Sequence, residues 1–397
     1  MQGHFRPDFD RFLSARARAL QSSAIREILK ITERAEVISF AGGLPAPATF
    51  PVEAMQAAFA KVLAERGREA LQYSATEGYG PLREWIAKRL SRPEAPVSAD
   101  DVLIVSGSQQ GLDLLAKVLV DPADRVLVET PTYLGALQSF SLFEPHFVAL
   151  ASDANGLLPE TMDESLRGAK FLYCLPNFQN PTGRLLPLER RQALAAKARE
   201  LDLLILEDDP YGALSYAGEV PASIRSLAPE RTVYMGSFSK VLAPGLRLGY
   251  VVAPPAIRAK LVQAKQATDL HTATLSQQAA YEVVKDGFLD THIPRIRALY
   301  RDQCEAMLGA LARHMPQGVS WNRPQGGMFL WVELPQGLDA TAVLARAVEE
   351  NVAFVPGAPF YANAPLSETL RLAFVTVPPA KIEEGVERLA GVIRRMR

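Results

Sequence analysis

Between residues 100 and 255 the chain alternates short apolar runs with helical patterns. The runs are VLIVSG (102–107), RVLVET (125–130), FVAL (147–150), KFLYCLP (170–176), LLILEDD (203–209), TVYMGS (232–237) and LGYVVA (248–253). Several are continuous rather than alternating, as strands covered on both faces should be. Stretches such as GLDLLAKVLV and LERRQALAAKARELD read as helices between them. Strand, helix, strand in series predicts an α/β fold with a mainly parallel seven-stranded sheet. The last two runs are joined by only about ten residues. That is short for a right-handed crossover through a helix, so one antiparallel strand is expected there.

Beyond this region, residues 295–313 place Ile296, Leu299, Tyr300, Met307, Leu308 and Leu311 on one helical stripe. GMFLWVEL (327–334) and LRLAFVTV (370–377) read as strands, and Ile382, Val386, Leu389 and Ile393 mark a last helix. This tail predicts a smaller α+β domain. The first 50 residues offer one helix, SSAIREILKIT, and then FAGGLPAPATFP. So Gly- and Pro-rich a segment does not fold alone and is expected to pack on something else. The expected division is an N-terminal arm and helix (1–50) against the small domain and the active site, a large domain (51–290) and a small C-terminal domain (291–397).

Composition changes this picture little. The 397 residues are 48% hydrophobic and 22% charged, ordinary for a soluble globular chain of about two domains. Forty-three basic against 44 acidic residues leave a net charge of -1, which offers no electrostatic case for nucleic acid or an anionic membrane. No apolar run approaches the ~18 residues of a membrane span, and MQGHFRPDFDRF lacks a signal-peptide core. Cys174 and Cys304 form neither a metal spacing nor a disulfide framework, and the five histidines make no close pair. A cytoplasmic protein without a metal is the expectation.

Ligands of open parallel sheets bind beyond the carboxyl ends of the strands, so the residues that follow each run matter most. Gly107-Ser108-Gln109-Gln110-Gly111 opens a helix after the first run; it is either a plain Ser108 cap or an anion cradle of free N–H groups. Thr130-Pro131-Thr132-Tyr133 puts an aromatic ring at a strand end. Asn180-Pro181-Thr182-Gly183 is a turn signature. Glu207, Asp208 and Asp209 end a buried strand, where three carboxylates are costly unless something positive meets them. They are followed by Tyr211, and the next run by Ser237, Ser239, Lys240 and Arg247. Each signal alone is weak. Together they supply what pyridoxal phosphate needs: an anion site with an arginine, a flat partner for the ring, a carboxylate for the pyridine nitrogen and a lysine for the aldehyde.

With these motifs the chain resembles the fold-type I, aspartate-aminotransferase-like family of pyridoxal-phosphate enzymes over essentially its whole length. NPTG, D-x-x-Y, S-x-S-K and a later arginine in R-L-G-Y occur in the family's order. SSAIREILK, ISFAGGLPAP, QYSATEGYGPLRE, SGSQQGLDL and FQNPTGR are most similar to the 2-aminoadipate aminotransferase group. The resemblance implies that Lys240 is the Schiff-base lysine and proton shuttle and that Asp208 partners the pyridine nitrogen. Tyr211 and Asn180 would bind the ring hydroxyl, and Tyr133 would stack on the ring. Ser108, Gln109, Ser237, Ser239 and Arg247 would hold the phosphate. Tyr73 would reach the phosphate of a neighbouring subunit, which implies a homodimer with shared active sites. Arg371, with Asn180 and Gly43 nearby, would bind the substrate α-carboxylate; Ser23 and Arg26 would face its side chain. Arg247 lies seven residues after Lys240 where many relatives have eight, and Tyr133 stands where some have tryptophan; stacking survives either ring.

The implied reaction is a ping-pong transamination between an L-amino acid and a 2-oxo acid such as 2-oxoglutarate. The amino acid would be 2-aminoadipate or glutamate, with aromatic or branched-chain amino acids also accepted. An aromatic or branched-chain enzyme without aminoadipate preference, a β-lyase and a decarboxylase remain open on the same scaffold. The effector half of an aminotransferase-like transcription regulator is disfavoured, because only 39 residues precede FAGGLP. A dinucleotide-binding dehydrogenase is disfavoured because no G-x-G-x-x-G follows a strand.

Overall fold

The computed structural model describes residues 9–20, 34 and 36–397. The seven apolar runs become seven strands: β1 (Val102–Val105), β2 (Arg125–Val128), β3 (His146–Ala149), β4 (Phe171–Cys174), β5 (Leu204–Asp209), β6 (Thr232–Ser237) and β7 (Gly249–Val252). They form one sheet in the order β1-β7-β6-β5-β4-β2-β3. From β6 to β3 every pairing is parallel. β7 alone is reversed, antiparallel to both β6 and β1. Its short connection turns through a 3-10 turn at Pro244–Leu246 and then Arg247 at φ +51°, too compact to carry a crossover helix.

β1 and β4 are buried along their whole length, which explains why their apolar residues run without alternation. Helix Ser108–Leu119 starts directly behind β1 through Gly107, whose φ of +81° suits a residue without a side chain. Arg247 lies against Gly107, where a Cβ would sit 2.3 Å from a guanidinium nitrogen.

The tail forms an antiparallel four-stranded sheet of Ser320–Trp321, Phe329–Glu333, Thr369–Ala373 and Val355–Pro356, in that spatial order. The long helix Phe288–His314 and the terminal helix Pro379–Arg395 pack together beside it. The sequence pattern marks only 295–313 of the former; the added first turns bury Leu289, His292 and Ile293.

The Gly/Pro-rich segment is held by this smaller unit. Ile38–Ser39 pairs in parallel with Val352–Ala353, and the Phe40 carbonyl accepts the Ala373 N–H at 2.8 Å. That docking carries the Ala41 and Gly43 carbonyls to the carboxyl edge of the large sheet. The helix expected at SSAIREILKIT, with Ser23 and Arg26, lies outside the described residues.

Candidate functional site

The acidic end of β5 divides by strand alternation. Glu207 and Asp209 point one way and are consumed locally. Glu207 accepts the N–H groups of Ile224 and Arg225 at 2.9 and 2.8 Å, and Asp209 accepts the Gly212 N–H and the Tyr234 hydroxyl at 2.8 and 2.9 Å. Asp208 points the other way, only 2% exposed. Its Oδ2 accepts the Tyr173 hydroxyl at 2.8 Å, and its Oδ1 has no partner. Burial pushes its carboxyl up to about 7, against the pull of the Tyr173 hydrogen bond. A buried carboxylate oxygen without a donor is what the N–H of a pyridinium ring would satisfy.

Lys240 follows β6, the strand beside β5. Its Nζ donates to the Gly43 carbonyl at 2.9 Å. Burial, followed by the nearby charges of Arg371 and Arg247, brings the ammonium down to about 8. The amine is therefore poised near neutral pH, as a nucleophile or general base requires.

Arg371, on strand Thr369–Ala373, is 1% exposed. It donates to Asn180 Oδ1 at 2.7 Å and to the Ala41 carbonyl at 2.6 Å. The rings of Phe329 and Phe360 cover it at 4.4 and 5.2 Å. Its Nε has no partner, no carboxylate among the described residues pairs with it, and burial brings it down to about 10. A buried guanidinium without an anion, with donors to spare, is a ready carboxylate site.

On the other side of Lys240, the Gly107–Ser108 turn, the start of helix Ser108–Leu119 and the exposed Arg247 converge. Arg247 Nη2 reaches the Ser106 carbonyl at 3.5 Å. Ser237 Oγ accepts the Ser239 N–H at 3.1 Å, which shapes the turn before Lys240. The Gln109 side chain faces away from this cradle, donating to the Gly135 carbonyl and to Ser139 Oγ at 2.9 and 2.6 Å. That leaves its backbone N–H at the first turn of the helix.

Tyr133 lies between the two halves. Burial raises its phenol, and Asp208, Arg371 and Arg247 all act on it. Tyr211 is buried, edge-on to Phe329 at 5.7 Å. Glu129 accepts the Leu175 N–H at 2.9 Å and Gln179 donates to the Pro131 carbonyl at 3.0 Å, so the loop carrying Asn180 is tied to the loop carrying Tyr133. Tyr73, by contrast, is 77% exposed, resting edge-on against His271 at 5.9 Å.

Tyr173, the Ala41 carbonyl and the two phenylalanines over Arg371 carry no motif. The signal for Tyr173 was present in outline, since a tyrosine inside a fully buried strand needs a partner for its hydroxyl. The residues present fit pyridoxal phosphate: an unpaired Asp208 oxygen, a poised lysine, and a glycine-lined cradle beside an arginine.

Comparison with known proteins agrees with this chemistry. The family model for aminotransferase class I and II matches residues 35–389. The 2-aminoadipate transaminase of Thermus thermophilus is 47% identical over 94% of each chain. Aromatic-amino-acid aminotransferase 1 of Thermococcus litoralis is 44% identical, covering 98% of this chain and 95% of that one. Among solved structures, LysN, the alpha-aminoadipate aminotransferase of Thermus thermophilus complexed with N-(5'-phosphopyridoxyl)-L-leucine, superposes with a TM-score of 0.92 at 44% identity, over 98% of this chain and 99% of that one. A match that runs from the docked N-terminal segment to the last helix embraces every residue of the site just described, and the chain belongs to the class I and II aminotransferases, enzymes of pyridoxal phosphate.

Proposed function

We propose that this aminotransferase exchanges amino groups between an L-2-amino acid and a 2-oxo acid such as 2-oxoglutarate. Its amino donors would include 2-aminoadipate and glutamate as well as aromatic or branched-chain amino acids. The observation that carries the reading is Arg371, a buried guanidinium with no carboxylate of the described chain beside it. It acts on the same lysine that reaches the Gly43 carbonyl. The names of the relatives from Thermus and Thermococcus support the breadth of the substrate range.

Bound pyridoxal phosphate supplies an electrophilic aldehyde and a ring that accepts negative charge from the substrate Cα. The chain's own residues do the rest. Arg371 would take the α-carboxylate in two hydrogen bonds, with Asn180 holding the guanidinium in plane. Lys240 would be the covalent anchor and, once released, would take the Cα proton and return it at C4′. Asp208 would keep a proton on the ring nitrogen through its free Oδ1. Asn180 and Tyr211 would bind the ring hydroxyl, Tyr133 would stack on the ring, and Ser108, Gln109, Ser237, Ser239 and Arg247 would hold the phosphate. Tyr73, exposed at the surface, would reach the phosphate of a second copy in a homodimer.

Ser23 and Arg26 would meet the distal carboxylate of acidic substrates. A cytoplasmic location is part of this reading; none of the described helices is long and apolar enough to cross a membrane. The first experiment is titration of the bound cofactor's visible band with 2-aminoadipate, glutamate, leucine and phenylalanine in turn. Conversion by the two acidic amino acids at the lowest concentrations supports the reading. Conversion by apolar amino acids alone would make this an aromatic or branched-chain enzyme and remove the role given to Arg26.

A further inference from the structure

Helix Pro255–Asp269 ends on an aspartate, at the negative end of the helix dipole, where an anion is disfavoured. Its partner Lys265 lies one turn earlier, in the less favourable order for such a pair. Lys265 is also completely buried, although lysines are rarely so. Local helix energetics therefore do not account for the pair. What it holds does.

Lys265 Nζ donates to Asp269 Oδ1 and Oδ2 at 2.8 and 2.9 Å and to Gln110 Oε1 at 2.8 Å. The same Gln110 oxygen accepts the Ser106 N–H at 2.7 Å, and Gln110 Nε2 donates to Asp269 Oδ2 at 2.6 Å. The Ser106 hydroxyl lies 3.2 Å from Asp269 Oδ2 and 3.2 Å from Thr272 Oγ1. With Arg247 on its carbonyl, Ser106 is gripped through its N–H, its hydroxyl and its C=O. Ser106 is the residue from which the Gly107–Ser108 turn departs, and the Arg247 guanidinium lies against that turn at Gly107.

We infer that the buried Lys265–Asp269 pair, acting through Gln110, is the positioning element of the phosphate cradle. It fixes the direction of the Ser108 and Gln109 N–H groups, the Gly107 N–H being donated to the Val105 carbonyl, and Lys265 neutralises a carboxylate that would otherwise face a phosphate dianion across one residue. Neither side chain touches the cofactor. The inference rests on the reading of this turn as the phosphate site.

The discriminating probe is pyridoxal, which has the ring and aldehyde but no phosphate. Dissociation constants for pyridoxal phosphate and pyridoxal are measured by the visible band on the cofactor-free form of wild type, Lys265→Met, Gln110→Leu and the double variant Lys265→Met/Asp269→Asn. In Lys265→Met and Gln110→Leu the affinity for pyridoxal phosphate should fall by about tenfold or more, as expected for hydrogen bonds to charged groups, with pyridoxal affinity unchanged. The double variant should recover part of the loss, because the unpaired carboxylate is gone. Equal losses for both ligands, or a lower melting temperature with unchanged cofactor affinity, would mean a merely structural pair and overturn the inference. Should Lys265→Met fail to fold, Gln110→Leu, which leaves the ion pair intact, decides the matter alone. A wild type that binds pyridoxal as tightly as its phosphate would instead overturn the cradle itself.

Discussion

Arg371 donates to Asn180 Oδ1 at 2.7 Å although 191 residues of chain separate them. One sits on a strand of the small sheet, the other on the loop after β4, so the contact joins the two halves of the molecule. Asn180 cannot neutralise a guanidinium; it can only orient it. On the proposed reading, the ion pair would be left for the substrate to complete.

Replacing Arg371 by methionine should therefore separate function from stability. KM for any amino acid should rise by about 100-fold or more, the cost of removing one side of a buried charged contact. The cofactor-free protein should melt at the same temperature or higher, because an uncompensated buried charge is removed. Arg371→Lys should rescue little, since an ammonium does not reproduce the planar fork. Steady-state kinetics with thermal melts checks all three. A variant with wild-type KM would remove Arg371 from carboxylate binding.

Asp208 yields a prediction in pH. Its folded carboxyl titrates at about 7 against an ordinary 3.8. Between those values the folded protein holds a proton that the unfolded chain has lost, so stability falls as pH rises through the window. Asparagine has no such loss. Cofactor-free Asp208→Asn should gain on wild type from pH 4 upward and level off above pH 7, with a total gain of roughly 4 kcal/mol at 1.36 kcal/mol per unit of pKa. Glu129 and Glu207, also raised to about 7, titrate in both proteins and cancel in the difference. Urea unfolding at several pH values tests this; a difference independent of pH would mean that Asp208 is not held protonated. The same variant should bind pyridoxal phosphate more weakly.

Tyr173 tunes that carboxylate. Its hydroxyl stabilises the ionised form of Asp208, so Tyr173→Phe should push the carboxyl higher and weaken its hold on a protonated ring nitrogen. The expected result is about tenfold weaker cofactor affinity and a shifted pH dependence of the bound cofactor's absorbance, for the loss of about 1–3 kcal/mol when a buried acceptor goes unsatisfied. Spectra that titrate as in wild type would assign Tyr173 to packing alone.

Much of this was legible beforehand because it is local. Strand runs, the NPTG turn and the S-x-S-K spacing are consecutive residues, and the parallel order of the strands places their carboxyl ends on one edge. The short link between Ser237 and Gly249 announced the reversed β7 for the same reason. What could not be read depends on register and docking. Tyr173 meets Asp208 only because β4 and β5 pair Phe171 with Leu204. The Ala41 and Gly43 carbonyls arrive only because Ile38 pairs with Val352, more than 300 residues away. Lys265 and Asp269 look in the sequence like an ordinary exposed pair one turn apart, and only the packing of their helix over Gln110 buries the lysine.

Lys240 and Arg371 are coupled by charge, and that coupling can be measured. Burial and the two arginines hold the Lys240 ammonium at about 8 instead of 10.5. At pH 8 about half of it is free amine, whereas an ordinary lysine would be almost wholly protonated. The rate at which the cofactor-free enzyme forms its covalent link to pyridoxal phosphate should therefore rise with a midpoint near pH 8. Arg371→Met removes one of the two repelling charges while leaving Lys240 buried. Its midpoint should move upward, towards the ordinary lysine value, and Arg247→Met should move it in the same direction. Stopped-flow absorbance across pH 6–10 gives the midpoints directly. An unmoved midpoint in both variants would assign the depression of Lys240 to burial alone, and Arg371 would then have no part in preparing the lysine.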